Sequence, residues 1–304
     1  MRAWYRLLFP KTHLDRRKRA GFLFVLPAIL FFGAVFIVPL VQSVLYSFYR
    51  IQPGGAKEFV GLGRYEKVLT DSTFWTAVWN TVQLLFFSVP VTVICALAVA
   101  LGLNHISNLK WRNVWASMYF LPFATSLVAA ALIWQWIYEP VYGFLNYALS
   151  YVGIPPQKWL QSLVEVKPAI AAVSVWVRIG FDTMIFLAAL QSIPRSVVEA
   201  GAMDGARALQ RMRDIQLPLI APTLFFLTVI NITDSFVDSF GIVDVTTNGG
   251  PARATDLMVY KIYSDGFQGK DYSLAAAQSI VLMLLVIALT FIQFRYVERR
   301  IHYR

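Results

Sequence analysis

Six polar or charged side chains interrupt two long apolar stretches of the sequence. They lie four residues apart in the first stretch, and three and four apart in the second: Ser174, Arg178 and Asp182, then Asn231, Asp234 and Asp238. Both spacings place side chains on one face of an α-helix. Guanidinium, carboxylate and amide groups together can bind a polar or anionic solute, relay ions, or simply pair with one another. We therefore expect both faces to point inward, toward a cavity or a partner, and the surrounding elements decide which chemistry applies.

The composition places these residues in a membrane protein. Of the 304 residues, 58% are apolar and 14% are charged, against about 45–50% and about 25% in soluble domains. The single cysteine, Cys95, excludes a disulfide scaffold and a cysteine zinc site. His13, His105 and His302 are far apart in the sequence, so we expect no metal site. The net charge of +10 comes from basic residues beside apolar blocks, which favours a membrane surface over a nucleic-acid partner.

Six stretches have about the 20 apolar residues that a helix needs to cross a bilayer. They lie near residues 21–46, 74–103, 113–138, 168–190, 217–241 and 274–296. The sequence therefore predicts an all-α integral membrane protein with six transmembrane helices.

The basic residues predict the orientation of these helices. The terminal segments and the loops on their side hold more than twice as many Lys and Arg residues as the opposite loops. Because basic residues stay on the cytoplasmic side, both termini are expected there. The predicted organisation is a basic N-terminal segment (1–20), a membrane domain (21–296) with a large inner loop (192–222), and a cytoplasmic tail (297–304).

A charged side chain at the centre of a bilayer costs at least about 2.5–3.5 kcal/mol, so a charged residue there should face a cavity or a partner. In one hypothesis, Arg178 and nearby Trp176 line a translocation path for an anionic or polyol solute. Asn231 and Asp234 then bind hydroxyl groups of that solute. In the other hypothesis, Arg178 pairs with Asp182 or Asp234 only to hold the helices together. The sequence leaves both open.

The sequence of the inner loop predicts a short helix from Arg195 to Met203. Pro194 suits the start of a helix and Gly205 permits the turn that ends it. Arg195 and Glu199 are spaced for an i,i+4 ion pair. A small, mostly apolar surface for docking is offered by Val197, Val198, Ala200, Gly201 and Ala202. Such a helix suits a groove in a partner protein, or it rests on lipid headgroups.

The spacing within this loop favours the partner protein. Glu199-Ala200-Gly201 is followed by Gly205 and, after nine further residues, by Ile215-Gln216-Leu217-Pro218. This pattern resembles the EAA loop of the permease subunits of binding-protein-dependent ABC importers. Gly201 departs from it by replacing an alanine, and Met212 by replacing a common phenylalanine. Glycine costs up to about 1 kcal/mol relative to alanine in a helix.

The resemblance implies that the short helix is a coupling helix, which sits in a cleft of a separate ATPase subunit. The residues that it assigns to this contact are Arg195, Glu199, Ala200, Gly201, Asp204, Gly205, Ala206, Arg207, Ile215, Leu217 and Pro218. The sequence has no G-x-x-x-x-G-K-[ST] phosphate loop. The chain is therefore expected to bind no cofactor and to be no enzyme, while the partner ATPase uses ATP and Mg.

Weaker similarities continue from Phe59 to the C-terminus and resemble carbohydrate-type permeases. They include Asn80-Thr81, Leu121-Pro122 and Tyr138-Glu139-Pro140. Four segments are most similar to permease subunits of sn-glycerol-3-phosphate importers: 190–196, Gly249-Gly250-Pro251 with Ala254-Thr255, 260–267, and 276–279 with 293–298. The resemblance implies that the transported solute is sn-glycerol 3-phosphate or a glycerophosphodiester, and a sugar or oligosaccharide is the alternative. It also implies the plasma (inner) membrane of a bacterium.

The same resemblance implies a set of partners. These are a second permease subunit, a dimer of ATPase subunits, an extracytoplasmic substrate-binding protein and membrane lipid, with no nucleic acid. Gly249, Gly250 and Pro251 would contact the binding protein, or they form only a turn in an outer loop.

Two other classes of protein fit less well. An ion-gradient-driven transporter could relay ions through Asp182, Asp234 and Asp238, but such transporters often contain two related halves, and the sequence shows no internal repeat. An intramembrane enzyme would need a catalytic motif, and no Ser-His pair, H-E-x-x-H motif or paired carboxylates of that kind are present.

Overall fold

The computed structural model describes residues 13–51 and 56–297. Five segments are helical, long and apolar enough to cross a membrane, and they correspond to five of the six predicted stretches: Ala20–Tyr46, Ser72–Asn104, Val166–Ser192, Ala221–Thr246 and Tyr272–Arg295. Residues 1–12 of the predicted N-terminal segment and 298–304 of the predicted tail lie outside the described residues.

Fourteen helices and three π-helical turns are present in the described residues. In chain order they are α1 (His13–Phe32), a π-helical turn (Gly33–Ile37), α2 (Val38–Tyr46), α3 (Gly63–Thr70), α4 (Ser72–Asn104), α5 (Leu109–Phe120), α6 (Leu127–Ile137), α7 (Phe144–Ser150), α8 (Val166–Ser192), α9 (Arg195–Met203), α10 (Ala208–Arg211), a second π-helical turn (Met212–Gln216), α11 (Leu217–Leu219), α12 (Ala221–Thr246), α13 (Met258–Tyr263), a third π-helical turn (Ser264–Gln268) and α14 (Tyr272–Val297).

The predicted stretch at 113–138 is not one continuous helix. It consists of α5 and α6, separated by turns over residues 121–126. Pro122 has no backbone N–H to continue the helical ladder, and the hydroxyl of Thr125 donates to the Pro122 carbonyl at 2.6 Å. At about 1.5 Å per residue, neither half alone crosses a hydrocarbon core of about 30 Å.

The structure adds a short β-hairpin to the predicted helices. Strands β1 (Tyr49–Ile51) and β2 (Lys57–Phe59) pair antiparallel, with Tyr49 opposite Phe59. The Tyr49 and Phe59 rings pack edge to face at 5.4 Å. The hairpin lies between the first two long apolar segments, where the sequence predicts an outer loop.

The chain divides into two compact units, Met1–Val68 with Asp265–Ile280 and Leu69–Ser264 with Val281–Arg304. In the first unit, the buried guanidinium of Arg64 donates to Asp271 at 2.9 Å. Asp271 also accepts from the backbone N–H of Leu274 at the start of α14. This ion pair therefore fastens α3 to the beginning of the last long helix.

The second unit contains the candidate site and has two apolar clusters. One cluster includes Val93 of α4 and Phe186 of α8, and the other includes Ile170 of α8 and Ile242 of α12. Between them along α8 lie the polar residues that the sequence singles out. The packing of α4, α8 and α12 therefore holds a polar layer between two apolar layers.

Asp71 fixes the start of α4. Its Oδ1 accepts from the backbone N–H of Thr73 at 2.8 Å, and Lys261 Nζ lies 3.3 Å from its Oδ2. Burial acts to raise the pKa of this carboxyl, but the Thr73 hydrogen bonds and the Lys261 charge outweigh it and hold the pKa below the ordinary value of 3.8. The cap therefore depends on an ionised Asp71.

Candidate functional site

The two polar helix faces meet. Arg178 of α8 reaches α12, where its Nη2 lies 2.6 Å from Asp234 Oδ2 and its Nη1 lies 3.4 Å from Asp238 Oδ2. The Arg178 side chain is 14% exposed, whereas those of Asp234 and Asp238 are 40% and 39% exposed. One buried cation thus lies beneath two partly exposed carboxylates.

Asp182 does not form the ion pair with Arg178 that one of the sequence hypotheses describes. It is fully buried, and Asn231 Nδ2 donates to its Oδ2 at 2.5 Å. The same amide donates to the Leu227 carbonyl. Its Oδ1 is buried without a hydrogen-bond partner in the described part of the chain. Arg178 pairs instead with Asp234, which is the other pairing that the sequence leaves open.

The break between α5 and α6 completes the surroundings of Arg178. Phe123, inside the break, stacks on Phe181 of α8 with ring centroids 4.8 Å apart. The Arg178 guanidinium carbon lies 6.0 Å from the Phe123 ring and 5.8 Å from the Phe181 ring, which suits a cation–π contact. Sequence reasoning missed both rings, although Pro122 marks the interruption.

Gly180 allows this close approach of α5 and α8. A Cβ at Gly180 would overlap the backbone carbonyl of Tyr119, and it would lie 2.8 Å from the Phe120 Cα. Both neighbours are backbone atoms that cannot rotate away. The absence of a side chain at Gly180 is therefore what brings Phe123 to Arg178.

A small cavity lies beside the ion pairs. It has a volume of about 20 Å³, and its polar lining consists of Ser174, Arg178, Ser235, Asp238 and Ser239. The Ser239 hydroxyl is buried without a partner in the described residues. A volume of roughly 10–15 Å³ or more with several polar partners suits one water molecule.

Trp176 lies apart from this polar cluster. Its ring packs edge to face on Trp134 at 5.8 Å, and both line an apolar cavity of about 700 Å³. Two residues along a helix are separated by about 200° of rotation, so Trp176 and Arg178 lie on different faces of α8. The sequence hypothesis that groups them is not supported by this arrangement.

The predicted loop helix is confirmed as α9, from Arg195 to Met203. Gly205 follows it with φ +83°, and the backbone N–H of Ala206 donates to the Gly201 carbonyl at 3.0 Å. Left-handed backbone conformations of this kind favour glycine. Arg195 and Glu199 do not form the predicted ion pair within 4.0 Å in the described chain, and both are exposed.

One side of α9 packs on its own loop. Gly201 is buried, and a Cβ there would meet the Ile215 Cδ1. Arg211 donates from Nη1 to the Ala206 carbonyl at 2.6 Å, which holds the loop closed. The opposite side is open, with Glu199 and Ala200 exposed and Met203 88% exposed. The remaining predicted coupling residues, all exposed or partly exposed, are Asp204, Arg207, Leu217 and Pro218.

The outer motifs also come together. Pro251, joined to Gly250 by a cis peptide bond, lines a cavity of about 440 Å³ together with Glu139 and Pro140. Gly249 has φ +80° and is buried, with a Cβ position only 2.9 Å from the Tyr260 ring. Gly249 is therefore a structural turn residue, while Gly250 and Pro251 are partly exposed.

No three His, Cys, Asp or Glu side chains are placed to hold a metal ion in residues 13–51 and 56–297. The site consists of an intramembrane ion-pair cluster, a packed loop helix with one open side, and a polar outer cavity. The cluster offers hydrogen-bond donors and acceptors to a polar solute, and the open side of α9 offers a surface for a partner.

Comparison with known proteins identifies the family. A family model described as the inner membrane component of binding-protein-dependent transport systems matches residues 72–303. The chain belongs to this family. This inner membrane component is 37% identical over 286 residues to the sn-glycerol-3-phosphate transport system permease protein UgpA of Yersinia pestis bv. Antiqua (strain Antiqua), covering 93% of this chain and 95% of the relative.

Two solved structures show the same fold for this inner membrane component. One is a bacterial ABC transporter involved in the import of the acidic polysaccharide alginate, with a TM-score of 0.84, 24% identity and coverage of 98% and 99% of the two chains. The other is the bacterial alginate ABC transporter in complex with an alginate pentasaccharide-bound periplasmic protein, with a TM-score of 0.83, 23% identity and coverage of 93% and 96%.

Proposed function

We propose that this chain is a permease subunit of an ATP-driven, binding-protein-dependent ABC importer for sn-glycerol 3-phosphate or glycerophosphodiesters. The observation that carries the proposal is the EAA-type loop folded as α9 and held against Ile215, within a chain similar to UgpA over 93% of its length. Its own substrate and partners are assigned here by that similarity.

The membrane arrangement follows from the helices. Helices α5 and α6 together span about as much length as one crossing, at about 1.5 Å per residue, so they supply a sixth transmembrane passage. A non-helical break at membrane depth is tolerated where it is buried in protein or lines a cavity, and the break here packs on Arg178 through Phe123. Six crossings, with the excess of basic residues in the terminal segments and in the loops on their side, support a cytoplasmic position for both termini.

The cytoplasmic loop would couple the permease to its ATPase. The open side of α9 carries Glu199, Ala200 and the 88% exposed Met203, which suits a cleft in a dimeric ATPase partner. The packed side, through Gly201 and Ile215, joins α9 to the chain leading into α12. Nucleotide-driven closure of the ATPase would then move α12 as part of a two-state element. ATP and Mg are used by that partner.

The polar cluster would form part of the translocation path. Asp234 and Asp238 are about 40% exposed in the isolated chain, and partly exposed carboxylates are unfavourable against lipid. Together with Asn231 and Arg178 they would offer hydrogen-bond partners to a hydroxylated solute. The outer face formed by Gly250, Pro251 and Glu139 would contact the extracytoplasmic binding protein.

A neutral sugar or oligosaccharide is the second candidate solute. It is favoured by the two carboxylates that cover Arg178, because acidic groups accept hydrogen bonds from hydroxyls and repel phosphate. Competition between the two solutes for uptake by the assembled importer distinguishes them.

Purification of the tagged chain from its native membrane in mild detergent tests the proposal. We expect an ATPase and a second membrane subunit to remain bound, identified by mass spectrometry. Labelled sn-glycerol 3-phosphate should enter vesicles that contain this complex and its binding protein only when ATP is inside the compartment with the ATPase. Purification of a folded chain alone, with uptake driven by an ion gradient, would contradict the importer.

A further inference from the structure

The polar cluster has more negative than positive charge. Helices α8 and α12 carry two basic residues, Lys167 and Arg178, and four aspartates: Asp182, Asp234, Asp238 and Asp244. Helices α4 and α6, which pack beside them, carry no charged residue. Helix α5, which packs on α8, carries Lys110 and Arg112 in its first turn, and among the described residues neither forms an ion pair with these aspartates. The membrane-spanning core of this unit therefore has an excess of carboxylates.

Arg178 is the one basic side chain near the exposed pair among the described residues. It contacts both Asp234 and Asp238, at 2.6 and 3.4 Å. Lys167 is engaged elsewhere, because its Nζ donates to Gln83 of α4. One guanidinium thus serves two carboxylates, and the 3.4 Å contact is the weaker because it lies beyond the usual range of a charge-assisted hydrogen bond.

The unbalanced charge faces outward from this unit. Arg178 is largely covered, whereas the Asp234 and Asp238 side chains remain about 40% exposed. Val237, between them on α12, is 66% exposed. Charged residues within membranes pair with one another or face a water-filled cavity. An acidic, partly open face of α12 therefore suits a positive group from outside this chain.

We infer that this face of α12, defined by Asp234, Val237 and Asp238, contacts a basic side chain of the second permease subunit. The inference rests on the proposed function, since it needs a second permease. Charge complementarity selects the occupant, because a lysine or arginine would give each exposed carboxylate its own cation. If the solute carries a phosphate, this cation would also provide a positive charge for it, because the charge of Arg178 is already neutralised by the two aspartates.

Charge reversal in the complete importer tests the inference. With all subunits co-expressed, Asp238→Lys should reduce the second permease recovered with the tagged chain by roughly tenfold, because like charges across an interface are strongly unfavourable. Asp238→Asn should reduce it less. Reversing the facing basic residue of the second permease to glutamate should restore recovery with Asp238→Lys, which also shows that this variant folds.

Asp244→Lys is the matched control. It makes the same charge change on the same helix, near its end at Thr246, and Asp244 has no ion pair within 4.0 Å in the described chain. Its recovery of the second permease should equal that of the parent. If Asp238→Lys assembles as well as this control, the inference is wrong although the importer stands. The inference is also wrong if no basic-to-acidic change in the second permease's membrane helices rescues Asp238→Lys. If the parent itself purifies without a second permease, the proposed function fails too.

Discussion

Replacing Gly180 by alanine should separate α8 from the end of α5. The added Cβ would lie 2.5 Å from the Tyr119 carbonyl carbon and 2.8 Å from the Phe120 Cα. Non-bonded carbon atoms normally approach to about 3.5–4.0 Å. The two helices must therefore move apart by about 1 Å, since the three nearest atoms all belong to the backbone.

The expected cost follows from this displacement. Overpacking typically costs about 1–3 kcal/mol, and occasionally more, and a clash with backbone belongs at the upper end. Alanine regains up to about 1 kcal/mol over glycine in a helix. We expect Gly180→Ala to destabilise the protein by about 2 kcal/mol or more. It should also loosen the Phe123–Phe181 stack, now at 4.8 Å, and thereby the aromatic wall beside Arg178.

The measurement is the fraction of complex that stays folded after heating in detergent, followed by solute uptake from reconstituted vesicles. Gly102→Ala in α4 is the control, because no atom lies within 4 Å of a Cβ at that position. The control should be as stable as the parent, or slightly more stable. If Gly180→Ala survives heating as well as Gly102→Ala, the close contact between α5 and α8 does not exist in the membrane.

Two further predictions concern the loop and the start of α4. Gly201→Ala should disturb the contact with Ile215 Cδ1 and weaken the stimulation of the ATPase. Adding Ile215→Val should restore that stimulation, because valine lacks the Cδ1 methyl group. If the second substitution has no effect, the contact is refuted. Asp71→Asn should lower the thermal stability of the complex at neutral pH. Because the lowered pKa of Asp71 stabilises the fold only when the carboxyl is ionised, the difference from the parent should shrink as the pH falls below 3.8; a difference that is constant with pH would refute this.

The sequence by itself determined the long spans, because lipid requires about 20 consecutive apolar residues and this requirement is local. It also determined α9, whose start and end follow from Pro194 and Gly205. The spacing of Arg178 with Asp182, and of Asn231 with Asp234, predicted one polar face on each of two helices. Each of these features depends on residues a few positions apart.

The tertiary structure alone decided which side chains pair across the helices. Arg178 contacts Asp234, and Asp182 accepts from Asn231. The rotation of α8 relative to α12 determines which of these side chains come within contact distance. Periodicity within one helix carries no information about its rotation relative to another. The separation of Trp176 from Arg178, by contrast, follows from their two-residue spacing along one helix.

The break between α5 and α6 was decided in the same way. The apolar composition of 113–138 is that of one span, and Pro122 alone does not end a membrane helix, because neighbouring helices can satisfy the freed backbone groups. Here the chain turns where Gly180 leaves room for it and where Phe123 stacks on Phe181. Those contacts join positions about 60 residues apart, so only the packing of distant segments could determine them.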